Sequence, residues 1–259
     1  HYYKHLKGEE TSTNSVATIF AWSGALRKRG EMDQIPALCD FADKLEKATL
    51  GTIESGKMTK DLALITSMEN VTVLNSENFI KAIRENLEKM MLVVLIAALA
   101  IVLGIVEAML PIKLPIPGMK LGLANIMIVI GLYYLDVKDM LFVIILKTVL
   151  TTLLLGTFSM FFYGFVGAIL SYIAMITVFK LGKNQVSLIG VSMIGGVMHN
   201  IGQIIVAMIL IQTKAIAYYM MLLLPLGLVT GVAVGIVAKL TMSRLNEFDL
   251  FKKNYKLTA

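Results

Sequence analysis

Met91–Met109 is an almost unbroken apolar run of 19 residues, and no other feature limits the folding of this chain so sharply. As a helix it is long enough to cross a hydrocarbon core of about 30 Å. In lipid every backbone N–H and C=O must be satisfied within the protein, so helices and closed barrels alone can span. Runs of similar character follow at about 121–135, 139–156, 158–180, 186–211 and 217–240. The pattern predicts an all-α membrane bundle of about six transmembrane helices.

Charge divides the chain at the same place. Residues 1–89 hold 12 Lys/Arg and 13 Asp/Glu, whereas residues 90–259 hold 12 Lys/Arg and 5 Asp/Glu. The net charge of +6 therefore belongs to the apolar part. It fits cytoplasmic anchoring of membrane helices better than nucleic-acid binding. With an even number of spans, Lys81, Arg84, Lys89, Lys138, Lys180, Lys183, Lys239, Arg244 and the basic tail 246–259 share one side. Lys113, Lys120 and Lys214 fall on the other, which puts both termini in the cytoplasm of a multi-pass cell-membrane protein.

Polar groups inside apolar spans are costly and mark functional candidates. Lys147 sits in the middle of the third run, Glu107 near the end of the first and Asn125 in the second. His199, Asn200 and Gln203 cluster in the fifth, with His199 and Gln203 four residues apart on one helix face. A lysine and a histidine converging with amides suit an anionic or hydrogen-bonding solute; an internal network locking the helices is the alternative. Small residues recur every four positions at Ala100, Gly104 and Ala108 and again at Gly227, Gly231 and Gly235, a spacing that permits close helix packing or docking of a membrane partner. Pro111, Pro115 and Pro117 predict a rigid connection, either a cap over a binding cavity or a plain interhelical turn. A single membrane histidine and a single cysteine, Cys39, offer no metal site, and the spans hold no nucleophile–base pair. No cofactor is expected for the membrane part.

Residues 1–89 read as a mainly helical, soluble segment without a signal peptide, too open in pattern to be a complete domain. A helix is predicted from Val16 to Leu26, stopped by the basic run Arg27–Arg29 and Gly30. A second is predicted over Ile35–Ser55 and closed by Gly56; a third begins near Ser76. The start at His1 rather than Met reads as a truncated frame.

Two resemblances follow. Glu107-Ala-Met-Leu-Pro, Pro115-Ile-Pro-Gly-Met-Lys-Leu-Gly-Leu-Ala-Asn125, Ser187-Leu-Ile-Gly-Val-Ser192 and His199-Asn-Ile-Gly-Gln203 resemble the Gx transporter family, also labelled heptaprenyl diphosphate synthase component I. The resemblance covers about 91–245 and implies a likeness to substrate-binding components of energy-coupling-factor transporters. It implies a six-helix bundle working with a transmembrane coupling protein and ATPase subunits, with Ala100, Gly104 and Ala108 as a docking face. Lys147 departs from the arginine expected there, which keeps charge but loses bidentate recognition. The prenyl-synthase label finds no Asp-rich diphosphate motif in the chain. His1-Tyr-Tyr, Lys7-Gly-Glu-Glu-Thr-Ser-Thr-Asn14, Ile19-Phe-Ala-Trp22 and Met58-Thr-Lys-Asp-Leu62 resemble the C-terminal portion of NADP-dependent isocitrate dehydrogenase. That resemblance implies that His1, Thr13, Asn14, Lys60 and Asp61 lie near the adenosine end of NADP. It also implies that the family's catalytic and metal-binding residues fall outside this chain, so the segment should not oxidise isocitrate. The join falls at Lys89-Met90-Met91, giving segments 1–89, 90–245 and 246–259; two adjacent genes joined together is the simplest expectation.

Overall fold

The computed structural model describes residues 2–9, 14–110, 122–155, 158–182 and 186–247. It divides into two compact units, His1–Met91 and Leu92–Ala259.

The first unit carries α1 (Tyr2–Leu6), α2 (Val16–Met32), α3 (Pro36–Glu54), β1 (Lys57–Thr59), α4 (Lys60–Ala63), β2 (Thr72–Leu74) and the start of α5 (Ser76–Met109). Pro36 opens α3 at a position where its missing N–H costs nothing. Ala48, Phe79 and Ile83 form the buried centre, with Val16, Ile19, Leu45, Ile53 and Leu87 packed around it. Ser23 and Arg27 on α2 meet Glu46 on α3 at 2.5 and 2.8 Å, and Arg27 also reaches Asp43 at 2.7 Å.

One local expectation is corrected by the structure. Gly30 does not stop α2, which runs on to Met32. Gly30 is buried, and a Cβ there would lie 2.7 Å from Cys39 Sγ, so the glycine serves close packing of α2 on α3. The helix is ended by Gln34, which adopts φ 55°, while Ile35 N–H donates to Gly30 O at 2.8 Å. A non-glycine residue thus takes the left-handed position usual for glycine. A short parallel sheet, Lys57–Thr59 paired with Thr72–Leu74, lies in a segment without readable periodicity. Gly56 starts it at φ +84°, where a side chain would run into Asn70 O.

The second unit contains the rest of α5, then α6 (Asn125–Tyr134), α7 (Val137–Leu155), α8 (Phe158–Leu181), α9 (Leu188–Ile211), a 3-10 turn (Lys214–Tyr219) and α10 (Met220–Leu245). Among the described residues four helical stretches are long and apolar enough to cross a membrane: Ser76–Met109, Phe158–Leu181, Leu188–Ile211 and Lys214–Leu245. The other two predicted runs come out differently. α7 has 19 residues but carries Lys138, Asp139 and Lys147. α6 has 10 residues, about 15 Å of helix, and every one of them is buried.

Glycines set the spacing around α9. A Cβ on Gly202 would lie 2.8 Å from Gly167 Cα on α8. One on Gly231 would lie 2.7 Å from Met193 Cα, and one on Gly235 2.9 Å from Ile189 Cα. The Gly227/Gly231/Gly235 stripe therefore packs α10 onto α9, the close approach that small residues allow in bilayers. The other stripe is divided. Ala100 and Gly104 are buried and Ala108 is exposed. A Cβ on Gly104 would lie 2.8 Å from Thr151 Cγ2 of α7. Ala100 and Gly104 are thus covered by the unit's own helices, and Ala108 is the exposed member of the stripe.

Candidate functional site

Gly122 organises one end of the second unit. Its φ of +93° suits glycine, and a Cβ would press on Asn125 Nδ2 at 2.9 Å. Asn125 N–H donates to Gly122 O at 2.8 Å, making the turn that starts α6. The N–H of Gly122 donates to a carboxyl oxygen of Glu107, which fixes the acid near the end of α5. The Lys-Leu-Gly-Leu-Ala-Asn string thus has a mechanical role in its described part, Gly122–Asn125.

Lys147 projects from α7 and is buried, 7% exposed. Thr148 and Thr151 beside it donate back to Ile144 O and Lys147 O at 2.7 and 2.8 Å. With those protons committed, both hydroxyls retain lone pairs as acceptors. His199 is buried on α9, its Nε2 2.9 Å from Gln203 Nε2. The contact joins the Gln203 amide to the imidazole, and which group donates follows the ring tautomer. Gly167 makes room for the imidazole: a Cβ there would lie 2.9 Å from Nδ1.

These groups meet around one small cavity. Glu107 of α5, Asn125 of α6, Lys147 of α7 and His199 of α9 line it, with Thr148, Thr151, Thr152 and the α8 residues Met160 and Gly164. Its water-accessible volume is about 20 Å³, room for little more than one water. Five helices thus contribute to a site rich in hydrogen-bonding groups, with a cation and a carboxylate on its wall. Any solute larger than water has to widen it.

Four of the six membrane residues singled out from sequence share this cavity, and two do not line it. Gln203 stands behind His199 and orients it. Asn200 turns toward α10, where its Nδ2 donates to Leu223 O at 2.7 Å, so it is a helix-packing residue here. Thr148, Thr151 and Thr152 were not legible as cavity residues, although Thr151 lies four positions from Lys147 and so on its face. A larger cavity of about 440 Å³ lies at the C-terminal ends of α6, α8 and α10, between Tyr133, Phe179, Ser187, Lys239, Ser243 and Asn246.

In the first unit, Asn14 Oδ1 accepts from Val16 N–H at 2.9 Å at the start of α2. Lys60 and Asp61 are exposed at the start of α4, whereas His1 and Thr13 lie outside the described residues. Among the described residues no group of three His, Cys, Asp or Glu side chains is placed to hold a metal.

The family model described as heptaprenyl diphosphate synthase component I matches residues 96–241, more than half of the chain. The chain belongs to that family. The match contains every residue of the cavity just described, from Gly104 to His199.

The first unit matches different proteins. It is 55% identical over 91 residues to the mitochondrial NADP isocitrate dehydrogenase of Saccharomyces cerevisiae, 34% of this chain and 21% of that one. It is 52% identical over 89 residues to isocitrate dehydrogenase [NADP] 1 of Mycobacterium tuberculosis, again 34% of this chain and 22% of the relative. The cytosolic NADP enzyme of Arabidopsis thaliana is 51% identical over 92 residues, with the same shares. The chain spans about a fifth of the length of these curated relatives.

Proposed function

We propose that the heptaprenyl diphosphate synthase component I unit is the solute-binding part of a membrane uptake system, crossing the membrane six times with both termini in the cytoplasm. One observation carries this reading: Glu107, Asn125, Lys147 and His199, from four helices, surround a single buried cavity. Intramembrane charge so placed is expensive and is retained where it handles a solute or ion. Lys147 offers a cation to an anionic solute, His199 offers its imidazole edge, and the threonine hydroxyls offer acceptors. Glu107, tethered to Gly122, sets the charge balance of the wall. A coupling protein with ATPase subunits remains part of the proposal as the machine that would widen the cavity.

Uptake and ligand binding with Lys147→Met and His199→Ala test the reading. Loss of binding by at least about tenfold is expected for Lys147→Met, the scale of one hydrogen bond to a charged group. Unchanged uptake and binding in both variants would remove the site assignment.

A second reading is favoured by the family's own description, a membrane scaffold for a prenyl diphosphate synthase. Copurification with a soluble synthase instead of ATPase subunits would support it. For the first unit we infer a fragment of an NADP-dependent isocitrate dehydrogenase that keeps part of the NADP site around Asn14, Lys60 and Asp61. It spans about a fifth of the relatives' length, so the full chain is expected to reduce no NADP with isocitrate. Turnover above the blank in that assay would refute this.

A further inference from the structure

A second small cavity adjoins the first and has a different chemistry. Asn125 lines both, as does Gly122. The second cavity lies between α6, α8, α9 and α10, with the oxygen-bearing side chains of Asn125, Ser171, Ser192 and Thr230 on its wall. Ser171 is 0% and Asn125 6% exposed, and neither Ser171 Oγ nor Asn125 Oδ1 has a hydrogen-bond partner among the described residues. A buried polar oxygen without a partner costs roughly 1–3 kcal/mol, and here two such groups line one space. The other two hydroxyls have given their protons away from it. Ser192 Oγ donates to Gly231 O at 2.7 Å and Thr230 Oγ1 to Gly227 O at 3.3 Å, so both face any occupant with lone pairs alone.

The wall is therefore neutral and dominated by acceptors, and its water-accessible volume is about 10 Å³, the space of a single water. A water could donate two hydrogens to it. A cation could engage all four oxygens at once. Divalent ions need carboxylate ligands that this wall lacks. Gly196 and Gly231 form part of the wall with backbones in direct contact, so a larger ion would have to push helices apart. We propose that this cavity binds a monovalent alkali cation of sodium's size through Asn125 Oδ1 and the hydroxyl oxygens of Ser171, Ser192 and Thr230. The shared wall gives the site its use, and this part rests on the solute reading above. A cation here and an anionic solute beside Lys147 offset each other's charge, so each tightens the other by the same factor. Sodium binding would then be a source of solute affinity.

The test is equilibrium binding of radioactive sodium to the full chain in detergent, in choline chloride and without any solute, so that it reads the cation site alone. Saturable binding of one ion per chain is expected, with potassium competing at least about tenfold less well. Ser171→Ala and Thr230→Val should each weaken binding by about tenfold, the loss of one ligand to a charged group. Melting in choline shows whether each variant folds; if Ser171→Ala does not, Thr230→Val decides. Absence of saturable binding, leaving only a trapped water, would overturn the proposal. So would unaltered sodium affinity in the folded variants. Sodium binding that survives while Lys147→Met leaves uptake untouched would keep the cation site and discard the solute reading.

Discussion

Both units expose large apolar side chains, and the same observation means opposite things in each. In the second unit Leu153, Leu181, Met221 and Val229 stand outward from helices whose polar groups are turned inward. Lipid covers such a surface, and the packing signal lies in the buried polar set, Glu107, Asn125, Lys147, His199 and Gln203. In the first unit Trp22, Leu64 and Ile65 are exposed on a body that also carries ion pairs such as Arg27–Asp43 and Lys44–Asp40. Among so many charges lipid is a poor surrounding, and large apolar groups left exposed there suit burial against further protein. The dehydrogenase relatives are about five times the length matched.

If the comparison is right, the two units should answer differently to an added methyl group or more. The largest effect is expected from Gly202→Leu, whose Cβ would sit 2.8 Å from Gly167 Cα of the neighbouring helix. Overpacking against backbone costs about 1–3 kcal/mol or more, read as a clear fall in the melting temperature of the detergent-purified chain. Gly24→Ala in α2 is the control, because a Cβ there meets nothing within 4 Å. It should stabilise the first unit by about 0.5–1 kcal/mol through helix propensity. Equal losses in the two variants would break the contrast between a glycine-packed bundle and a more open first unit.

Gln34→Gly sharpens the same contrast on a comparable scale. Relieving φ 55° at the end of α2 should stabilise the first unit by up to about 1 kcal/mol. Trp22, the chain's one tryptophan, reports this unit by fluorescence during urea unfolding. No shift would mean that Gln34 makes a compensating contact.

The smallest effect concerns pH. Ser23 and then Arg27 hydrogen-bond the Glu46 carboxylate and hold its pKa below the ordinary glutamate value, about 4.3 in the unfolded chain. A depressed carboxylate stabilises the fold fully above the unfolded pKa, and that contribution is lost as pH falls through the folded value. Trp22-detected stability should therefore fall below about pH 4.3, and Glu46→Gln should flatten this part of the profile. The group stands partly in water, so the effect is modest. An identical acid profile in the variant would assign the loss to other carboxylates.

Much of this was legible from residue order. Lys147, Glu107, Asn125 and His199 could be singled out because a charge or amide in an apolar run is conspicuous in one dimension. Asn200 was conspicuous for the same reason, yet it faces α10, since neighbours on a helix point about 100° apart and sequence does not say which face meets which helix. Gly30 looked like a helix stop because glycine often is one; its contact with Cys39 is made by a residue nine positions away on another helix.

By itself, the sequence determined the apolar runs, the break in character near residue 90 and the polar groups that lipid would not tolerate. These follow from composition and from periodicities of a few residues, which act locally. The tertiary structure decided which of those groups share a cavity, that α6 is short and wholly buried, and that Ser171 and Thr230 face a common space. Those outcomes depend on how helices rotate and approach, set by glycine contacts between residues such as Gly167 and Gly202 that lie 35 positions apart in the chain.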